Sequence, residues 1–363
     1  MSHTASAHLM RLVAKLLTCY DPRLPEDRKE ISRIVNYSEK HVDNILRDMR
    51  HRQRDLWAHH IRDIRALGLA TIVVKTDRRL ENVATVNDLE KIGLPWARYL
   101  YSYRTILGAE KRRVYSYLAP VKMLDEIVDD VQSYFTDAQI DLGFTVPVRH
   151  NCRRLEVSSE INDEDIEKAA KDLASEPPKI KPTLLDVLLY ARLDENPLAS
   201  MRDLQDVSTI LEERLTTPTR LWLKKKKVNA AYPRLSRLGL LGRALVMKAA
   251  WPEEPLAPLY ISVDTGRDEG CAARLYAIAD AMWAAASIFV GHNTAATVLV
   301  LPDDYTPVIE NLLGDCISDS GYITSGFGTV IPVEMFSPKE GWSAERQPVE
   351  TLLIGLGLAE KKA

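Results

Sequence analysis

Positively charged side chains gather on one predicted helix near the N-terminus, where their types and spacing fit base reading in DNA. The inward side is an apolar stripe at helical spacing: Val42, Ile45, Leu46 and Met49. The outer face is polar and mostly basic: Lys40, Asn44, Arg47 and His51, with Arg50, Arg52 and Arg54 continuing the charge. Arg and Lys pair with guanine edges and Asn with adenine, so this face predicts a recognition helix. The alternative is an ordinary solvated helix face.

A second basic region lies in the other half of the chain. Between Pro218 and Ala250 the sequence has no Asp or Glu, although the whole chain has a formal net charge of -3. Lysines neutralise duplex phosphates with little demand on geometry, so we expect this stretch to anchor the DNA backbone. The complete set of predicted DNA-binding residues is Ser38, Lys40, His41, Asn44, Arg47, Arg50, His51, Arg52, Arg54, Thr219, Arg220, Lys224, Lys225, Lys226 and Lys227.

No pattern in the sequence predicts catalysis or metal binding. Cys19, Cys152, Cys271 and Cys316 lack the paired spacing of a zinc site or a redox dithiol, so we expect reduced, buried thiols. No Ser or Cys has an identifiable base with an orienting partner. We therefore predict no catalytic site, no metal and no cofactor, and a protein that is not an enzyme.

The composition indicates a soluble globular chain. Its 363 residues are 46% hydrophobic and 27% charged, enough for more than two compact units. The N-terminus carries Arg11 and Lys15 inside an amphipathic pattern instead of an export signal, and no stretch is long enough to cross a bilayer. We predict a cytoplasmic, nucleoid-associated protein without a membrane partner.

The elements that must position the first basic face are three short helices. The second is expected to begin near Asp27, and Ser38 is a good N-cap for the third. The tight turn between them at Asn36-Tyr37 is typical of a helix-turn-helix. After it the pattern changes to the order βαββαβ of a ferredoxin-like domain. The predicted strands are 70–75, 97–104, 114–118 and 139–148, and the predicted helices are 86–92 and 121–134.

The second half repeats this plan after a connector. Residues 149–182 hold an acidic, helix-prone stretch and end in a proline-rich run that cannot continue a helix. Beyond it we predict helices over 184–189, 201–215 and 219–227, strands near 244–248, 288–290, 296–301 and 326–333, and helices over 271–284 and 305–313. The stretch 252–270 is expected to be an inserted loop.

Three landmarks recur in the same order in both halves and predict a duplicated module. They are a Leu-Gly-Leu word (67–69 and 238–240), a proline that opens an amphipathic segment (Pro120 and Pro302), and a Gly-to-Pro strand (143–147 and 328–332). The predicted fold class is α+β, with two helix-turn-helix (winged-helix-like) units that are each followed by a ferredoxin-like βαββαβ domain. The predicted boundaries are 1–63, 64–150, a linker over 151–182, 183–235, 236–340 and a tail over 341–363.

These units together resemble the Lrp/AsnC (feast/famine) transcription regulators in a fused, duplicated form. The resemblance implies DNA binding by the helical units, assembly through the ferredoxin-like domains, and effector sites at the loop between the second and third strands. The matching positions here are Gly108 in the first half and Gly291, His292 and Asn293 in the second. Both loops lack the family's Gly-Asp pair, and His292 also fits an exposed turn residue.

An alternative exists because siroheme decarboxylases resemble the same architecture. That alternative predicts a pocket between the sheets lined with His and Arg, and the predicted strands show no such cluster. A protein-interaction scaffold is a third interpretation. We therefore predict a pseudo-dimeric transcription regulator or nucleoid-associated protein whose partners are double-stranded DNA, further copies of itself and a small-molecule effector.

Overall fold

The computed structural model describes residues 3–357, apart from 53–54, 77–96, 106–110, 137, 152–155, 207–222, 267, 269, 329–332, 344 and 346. Within those limits the chain is a mixed α+β protein with a curled antiparallel sheet, so the predicted α+β class is confirmed at this level. The predicted helix over 86–92 and most of the one over 201–215 lie outside the described residues.

Three helices form the N-terminal part: α1 (His3–Leu16), α2 (Pro25–Val35) and α3 (Glu39–His51). Asn36 has a left-handed φ of 57° and turns the chain between α2 and α3. The Ser38 side chain then caps α3 by accepting from the His41 amide at 3.4 Å. The four apolar residues predicted to face inward on α3 are buried in one cluster with residues of α1 and α2.

Eight strands among the described residues close into one antiparallel sheet with the neighbour order β10-β3-β4-β2-β5-β8-β9-β7. The first half contributes β2 (Leu69–Thr76), β3 (Ala97–Thr105), β4 (Lys111–Pro120) and β5 (Gln139–Pro147). The second half contributes β7 (Ala257–Asp264), β8 (Ser287–Gly291), β9 (Thr294–Leu301) and β10 (Ile317–Gly328).

The two halves are joined edge to edge at two seams, β5 with β8 and β10 with β3. In the first seam Gly143 lies opposite Gly291. A Cβ on Gly143 would overlap the Val290 carbonyl oxygen, so the backbones approach as closely as they do because this position is glycine. Closing the sheet in this way leaves neither half with an open edge at a seam.

Helices cover the outer face of the closed sheet. Ile127 and Val131 of α4 (Leu124–Tyr134) pack on β2 and β4. Helices α9 (Gly270–Ala281) and α10 (Thr306–Leu313) cover the strands of the second half. The acidic stretch of the connector forms α5 (Asp163–Leu173), which buries Ala169 in the same cluster. Its N-cap Asn162 and Asp165 form a reciprocal capping box.

The remaining elements form a second helical region beside the first. It contains α6 (Leu184–Glu195) and α7 (Lys225–Arg237), followed by β6 (Arg243–Val246) and α8 (Met247–Ala250). Strand β6 pairs with β1 (Ala58–Ile61) of the first half in a separate two-stranded sheet. A small hairpin of β11 (Phe336–Ser337) and β12 (Gly341–Trp342) and helix α11 (Val349–Leu356) close the described chain.

Several predicted elements of the second half are wrong. The strand expected at 244–248 corresponds to β6, which lies outside the closed sheet. The first strand of that half is β7, inside the stretch expected to be an inserted loop. The last strand of the sheet begins at Ile317 and not near 326, and residues 329–332 of the predicted strand lie outside the described residues. The helix expected over 219–227 begins at Lys225 and continues through Pro233 to Arg237.

One of the three repeat landmarks is coincidental. Gly68 precedes β2 of the closed sheet, whereas Gly239 follows α7 and precedes β6. Both glycines have a φ of 72°, so the two Leu-Gly-Leu segments both form a left-handed turn. They nevertheless lie at different positions in the fold. Pro120 and Pro302 are equivalent, because each lies between the third strand of its half and the following helix.

A buried polar network fastens the two helical regions together. Arg23 is 97% buried at its side chain and donates to Asp21 at 3.1 Å and to the Ala199 carbonyl oxygen at 2.7 Å. The Asp21 carboxylate also accepts from the Tyr232 and Ser236 hydroxyls, both at 2.6 Å. An arginine buried without these acceptors would be costly, so the network fixes one arrangement of the two regions.

The expectation of reduced cysteines is wrong. Cys271 and Cys316 form a disulfide that joins the start of α9 to the residue before β10, and Cys19 is disulfide-bonded as well. The sequence separation of 45 residues hid this pairing, because only the fold brings the two positions together. Among the residues that the structure describes, none of the helices combines the length and apolar character that a bilayer-spanning segment requires.

Candidate functional site

Charged side chains from both halves meet inside one end of the closed sheet. Lys75 Nζ lies 3.4 Å from Asp319 Oδ2, and Arg112 Nη1 donates to the same oxygen at 2.8 Å. Lys75 Nζ also donates to Ser262 Oγ at 3.3 Å. We call Lys75, Arg112, Asp141 and Asp319 the interior cluster.

Strand alternation places the interior cluster. In β2 the side chains of Ile72 and Val74 are buried under α4, so Val73 and Lys75 point to the opposite face, inside the closed sheet. Strand β10 places Asp319 opposite Ser262 of β7. Lys75 is near the end of its strand and Arg112 near the start of its own, so both lie at the same end of the closed sheet.

The environment of Lys75 favours loss of its proton. Burial lowers the pKa of Lys75 below the usual range of a lysine, and the Asp319 carboxylate opposes this shift only in part. The Tyr260 ring centroid lies 5.7 Å from Lys75 Nζ, and burial raises the pKa of the Tyr260 hydroxyl, which therefore stays neutral. Lysines with a lowered pKa are suited to proton transfer near neutral pH.

Asp141 of β5 offers a buried carboxylate oxygen to this space. The residue is 93% buried, and its Oδ1 accepts from the His292 amide at 3.2 Å. Its Oδ2 has no hydrogen-bond partner among the described residues. Gly291 makes room for it, because a Cβ there would overlap the Asp141 carboxylate. A buried carboxylate oxygen without a donor is costly unless a ligand supplies one.

Next to the interior cluster, further from that end of the strands, a layer of apolar side chains fills the inside of the closed sheet. Val114, Tyr260, Phe289 and Ala296 are buried there as one cluster with Val73 and Ile323 packed against it. This layer keeps water from the inner side of the charges, whereas the Arg112 side chain remains 33% exposed. The arrangement can therefore bind a carboxylate at the partly exposed Arg112 and deliver a proton in a partly dry setting.

Comparisons with known proteins give two solved structures and no sequence family. No protein-family model matches the chain, and no curated protein matches it. The crystal structure of the siroheme decarboxylase NirDL is similar at 11% identity and a TM-score of 0.47, covering 89% of this chain and 93% of that one. Its complex with an iron-uroporphyrin III analogue gives 12% identity and a TM-score of 0.40, covering 88% and 92%. At these scores we transfer no residue role.

The prediction of a DNA-binding transcription regulator is wrong, and so is the prediction that the protein is not an enzyme. Both similar structures are of a siroheme decarboxylase, one of them in complex with an iron-uroporphyrin III analogue, and neither is of a regulator. Two of the predicted DNA-binding arginines form hydrogen bonds within the helical regions. Arg50 is half-buried and donates to the Leu198 carbonyl oxygen at 2.8 Å, and Arg47 donates to Asn44 at 2.7 Å. The two side chains most suited to base reading therefore bond to each other.

The remaining residues predicted on the first basic face are placed as follows. Ser38 is the α3 N-cap, and His41 stacks on Tyr37 with ring centroids 4.9 Å apart. The side chains of Lys40, His51 and Arg52 are exposed. Arg54 lies outside the described residues, as do Thr219 and Arg220 of the second basic region.

The lysine run lies at the opposite helix end from the one expected. Lys224 is the N-cap of α7, and Lys225, Lys226 and Lys227 form its exposed first turn. The sequence predicted them at the end of a helix over 219–227, of which residues 219–222 lie outside the described residues. Cations are unfavourable near a helix N-terminus because the macrodipole is positive there.

The predicted effector loops are only partly described. Gly108 lies outside the described residues. In the second half, Gly291 ends β8, and the side chains of His292 and Asn293 are exposed in the turn before β9. The backbone of this turn contacts Asp141, so its connection to the interior cluster is through the amide of His292 and not through its ring. An effector role for these residues stays a prediction.

Sequence reasoning missed the interior cluster. Lys75 and Asp141 were predicted only as members of the strands 70–75 and 139–148. Both are charged residues in strands otherwise rich in apolar side chains, a signal that marks an inward site when alternation is taken into account. Their meeting with Arg112 and Asp319 depends on the seams and could not be found from spacing.

A three-ligand group at the start of α9 does not form a metal site. Oxygen and sulfur atoms of Asp268, Cys271 and Cys316 lie within 4.8 Å of one another. Both sulfurs are joined in the disulfide, so only the Asp268 carboxylate remains as a ligand.

Proposed function

We propose that this chain is an enzyme that binds a small carboxylate-bearing molecule at the interior cluster and replaces a carboxylate by a proton. The observation that carries the proposal is the meeting of Lys75 and Arg112 on one carboxylate, Asp319, inside the closed sheet. Buried charged groups with a shifted pKa are typical of functional sites.

Each residue of the interior cluster has a distinct part in the proposed reaction. Arg112 is the most exposed of them, and its guanidinium binds the incoming carboxylate. Asp319 holds both cations in place. The free Oδ2 of Asp141 accepts a hydrogen bond from an N–H or O–H group of the substrate.

The reaction step balances without an added oxidant or reductant. The bond between the substrate carbon and its carboxylate breaks, CO₂ leaves, and the electron pair remains on the carbon. The Lys75 ammonium gives that carbon a proton and becomes an amine, which regains a proton from solvent. The lowered pKa of Lys75 makes this transfer easier than it is from an exposed lysine.

The finer architecture is part of the same proposal. The strand order within each half, β3-β4-β2-β5 and β8-β9-β7-β10, supports two ferredoxin-like modules fused as an internal pseudo-dimer. The α1–α3 and α6–α7 regions are proposed helix-turn-helix units that have kept their shape as supports for the closed sheet. Further self-association and a cytoplasmic location remain predictions.

A carboxylate-rich tetrapyrrole is the first substrate to test. Siroheme, titrated anaerobically into the full chain, should shift its absorbance on binding and lose the mass of CO₂ on incubation. Lys75→Gln should bind siroheme but lower turnover by about 10²–10⁴-fold, because it removes the proton donor. Arg112→Gln should weaken binding, and Lys226→Gln on the exposed turn of α7 is the matched control.

The outcomes separate the proposal from its alternatives. If the wild type binds siroheme and the siroheme does not lose the mass of CO₂, the proposed decarboxylation is wrong. If Lys75→Gln decarboxylates siroheme at the wild-type rate, Lys75 is not the proton donor. If neither siroheme nor an iron-uroporphyrin binds, a carboxylate tetrapyrrole is not the substrate class.

A further inference from the structure

A second cleft lies at the other end of the strands that carry the interior cluster. Its volume is about 520 Å³, within the range of small-molecule pockets. Four segments line it: the turn before β2 (65–68), the end of β4 (120–122), the proline-rich connector (176–182) and the β11–β12 hairpin (336–342). Lys75 is six residues along β2 from Leu69, so about 20 Å separates the two sites.

The inner wall of the cleft is apolar and preorganised. Leu67 and Phe336 are fully buried, and Trp342 packs edge-on against Phe336 with centroids 5.3 Å apart. Trp342 Nε1 donates to the Leu67 carbonyl oxygen at 2.6 Å, so the indole has no donor left for a ligand and offers only its ring. Pro177, Pro178 and Pro182 stiffen the opposite wall.

The rim of the cleft carries an excess of positive charge. Among its lining residues five are cationic and two acidic. Arg65 is held by Asp63 at 2.6 Å, and Lys179 faces Glu176 at 3.6 Å. The other three cations, Lys122, Lys181 and Lys339, make no ion pair among the described residues, and only Glu340 opposes them on the rim.

We propose that this cleft binds a small amphipathic anion, with an apolar ring body against Trp342 and its acidic group among Lys122, Lys181 and Lys339. The apolar wall contributes affinity through burial, and the unpaired lysines select for negative charge. The site is independent of the proposed catalysis.

The test uses two fluorescent probes that differ by one sulfonate group. The anion 8-anilinonaphthalene-1-sulfonate should bind the full chain with a saturable rise in emission that weakens with salt. N-phenyl-1-naphthylamine lacks the sulfonate and should bind more weakly. Replacing two rim lysines together, Lys181→Gln with Lys339→Gln, should weaken the anion about tenfold, because each exposed charge contributes up to about 1 kcal/mol. The neutral probe should be unaffected.

Matched variants keep the result unambiguous. Lys29→Gln with Lys226→Gln removes two exposed lysines elsewhere and should leave both probes unchanged. Val121→Glu adds an acid at a wall position that is 50% exposed and should weaken the anion further. The proposal is overturned if the rim variants bind the anion as the wild type does, or if the neutral probe binds equally well. Lys75→Gln should not affect either probe, which separates this test from that of the proposed enzyme.

Discussion

Lys75 of the first half and Asp319 of the second lie 3.4 Å apart inside the closed sheet, 244 positions apart in the chain. Arg112 binds the same carboxylate. Because the pair joins the two halves across the interior, the proposed site exists only when the sheet has closed.

Asp319→Asn should lower the pKa of Lys75 further. Burial already depresses that pKa, and the Asp319 charge is the main influence that raises it. Without the Asp319 charge, less opposes the effect of burial, and the pKa of Lys75 falls further. The measurement is an NMR titration of the Lys75 side chain. Ser318→Ala, which removes a neutral partner of Ser262, is the control and should cause a smaller change. An unchanged or raised pKa in Asp319→Asn contradicts the assigned pairing.

Gly143→Ala should destabilise the seam between the halves. The added Cβ overlaps the Val290 carbonyl oxygen, so backbone must move, at a cost of about 1–3 kcal/mol. Gly266→Ala is the control, because the nearest atom there belongs to the flexible Asp264 side chain at 3.3 Å. Urea unfolding measures both. Equal stability of the two variants would mean that β5 and β8 do not approach as described.

Arg23→Ala should lower the free energy of unfolding by about 3–5 kcal/mol. It leaves the buried Asp21 carboxylate and the Ala199 carbonyl oxygen without their arginine donor. Arg33→Ala, which removes only an exposed pair with Glu30, should cost less than about 1 kcal/mol. Chemical unfolding of the two variants under identical conditions decides whether the network fastens the helical regions.

Cys316→Ala should lower the free energy of unfolding by up to about 4 kcal/mol under oxidising conditions, because the crosslink closes a loop of 45 residues. The difference from wild type should shrink when a thiol reductant is present. Mass spectrometry of the unfolded, alkylated chain should find Cys271 blocked in the wild type and reactive in the variant. A reactive Cys271 in the untreated wild type would restore the original expectation of free thiols.

Asp280 should make stability fall at acid pH. Burial alone would raise the pKa of Asp280, but hydrogen bonds and charge from His150 and Lys168 outweigh it and lower that pKa. A carboxylate with a depressed folded pKa stabilises fully above its unfolded pKa, about 3.9, and loses this contribution as pH falls through the folded value. The stability difference between wild type and Asp280→Asn should therefore be present at about pH 5 and shrink as the pH falls below about 4. Asp163→Asn, at an exposed position on α5, should show no such trend.

The sequence by itself determined the local structure wherever the physical signal is local. The apolar stripe of α3, its Ser38 cap and the alternating strands of the first half follow from periodicity and capping, which act within a few residues. The same reasoning failed for β7. This strand has apolar residues on both faces, so it lacks the alternation that predicts a strand, and the turns and prolines around it are typical of a loop.

Only the tertiary structure decided which residues meet. The basic residues dominated the sequence because they are adjacent in number, yet Arg47 and Arg50 bond within the helical region. Lys75, Arg112, Asp141 and Asp319 lie on four strands and come together because two seams close the sheet and alternation turns their side chains inward. Long-range pairing is a property of the whole chain, so no window of sequence contains it.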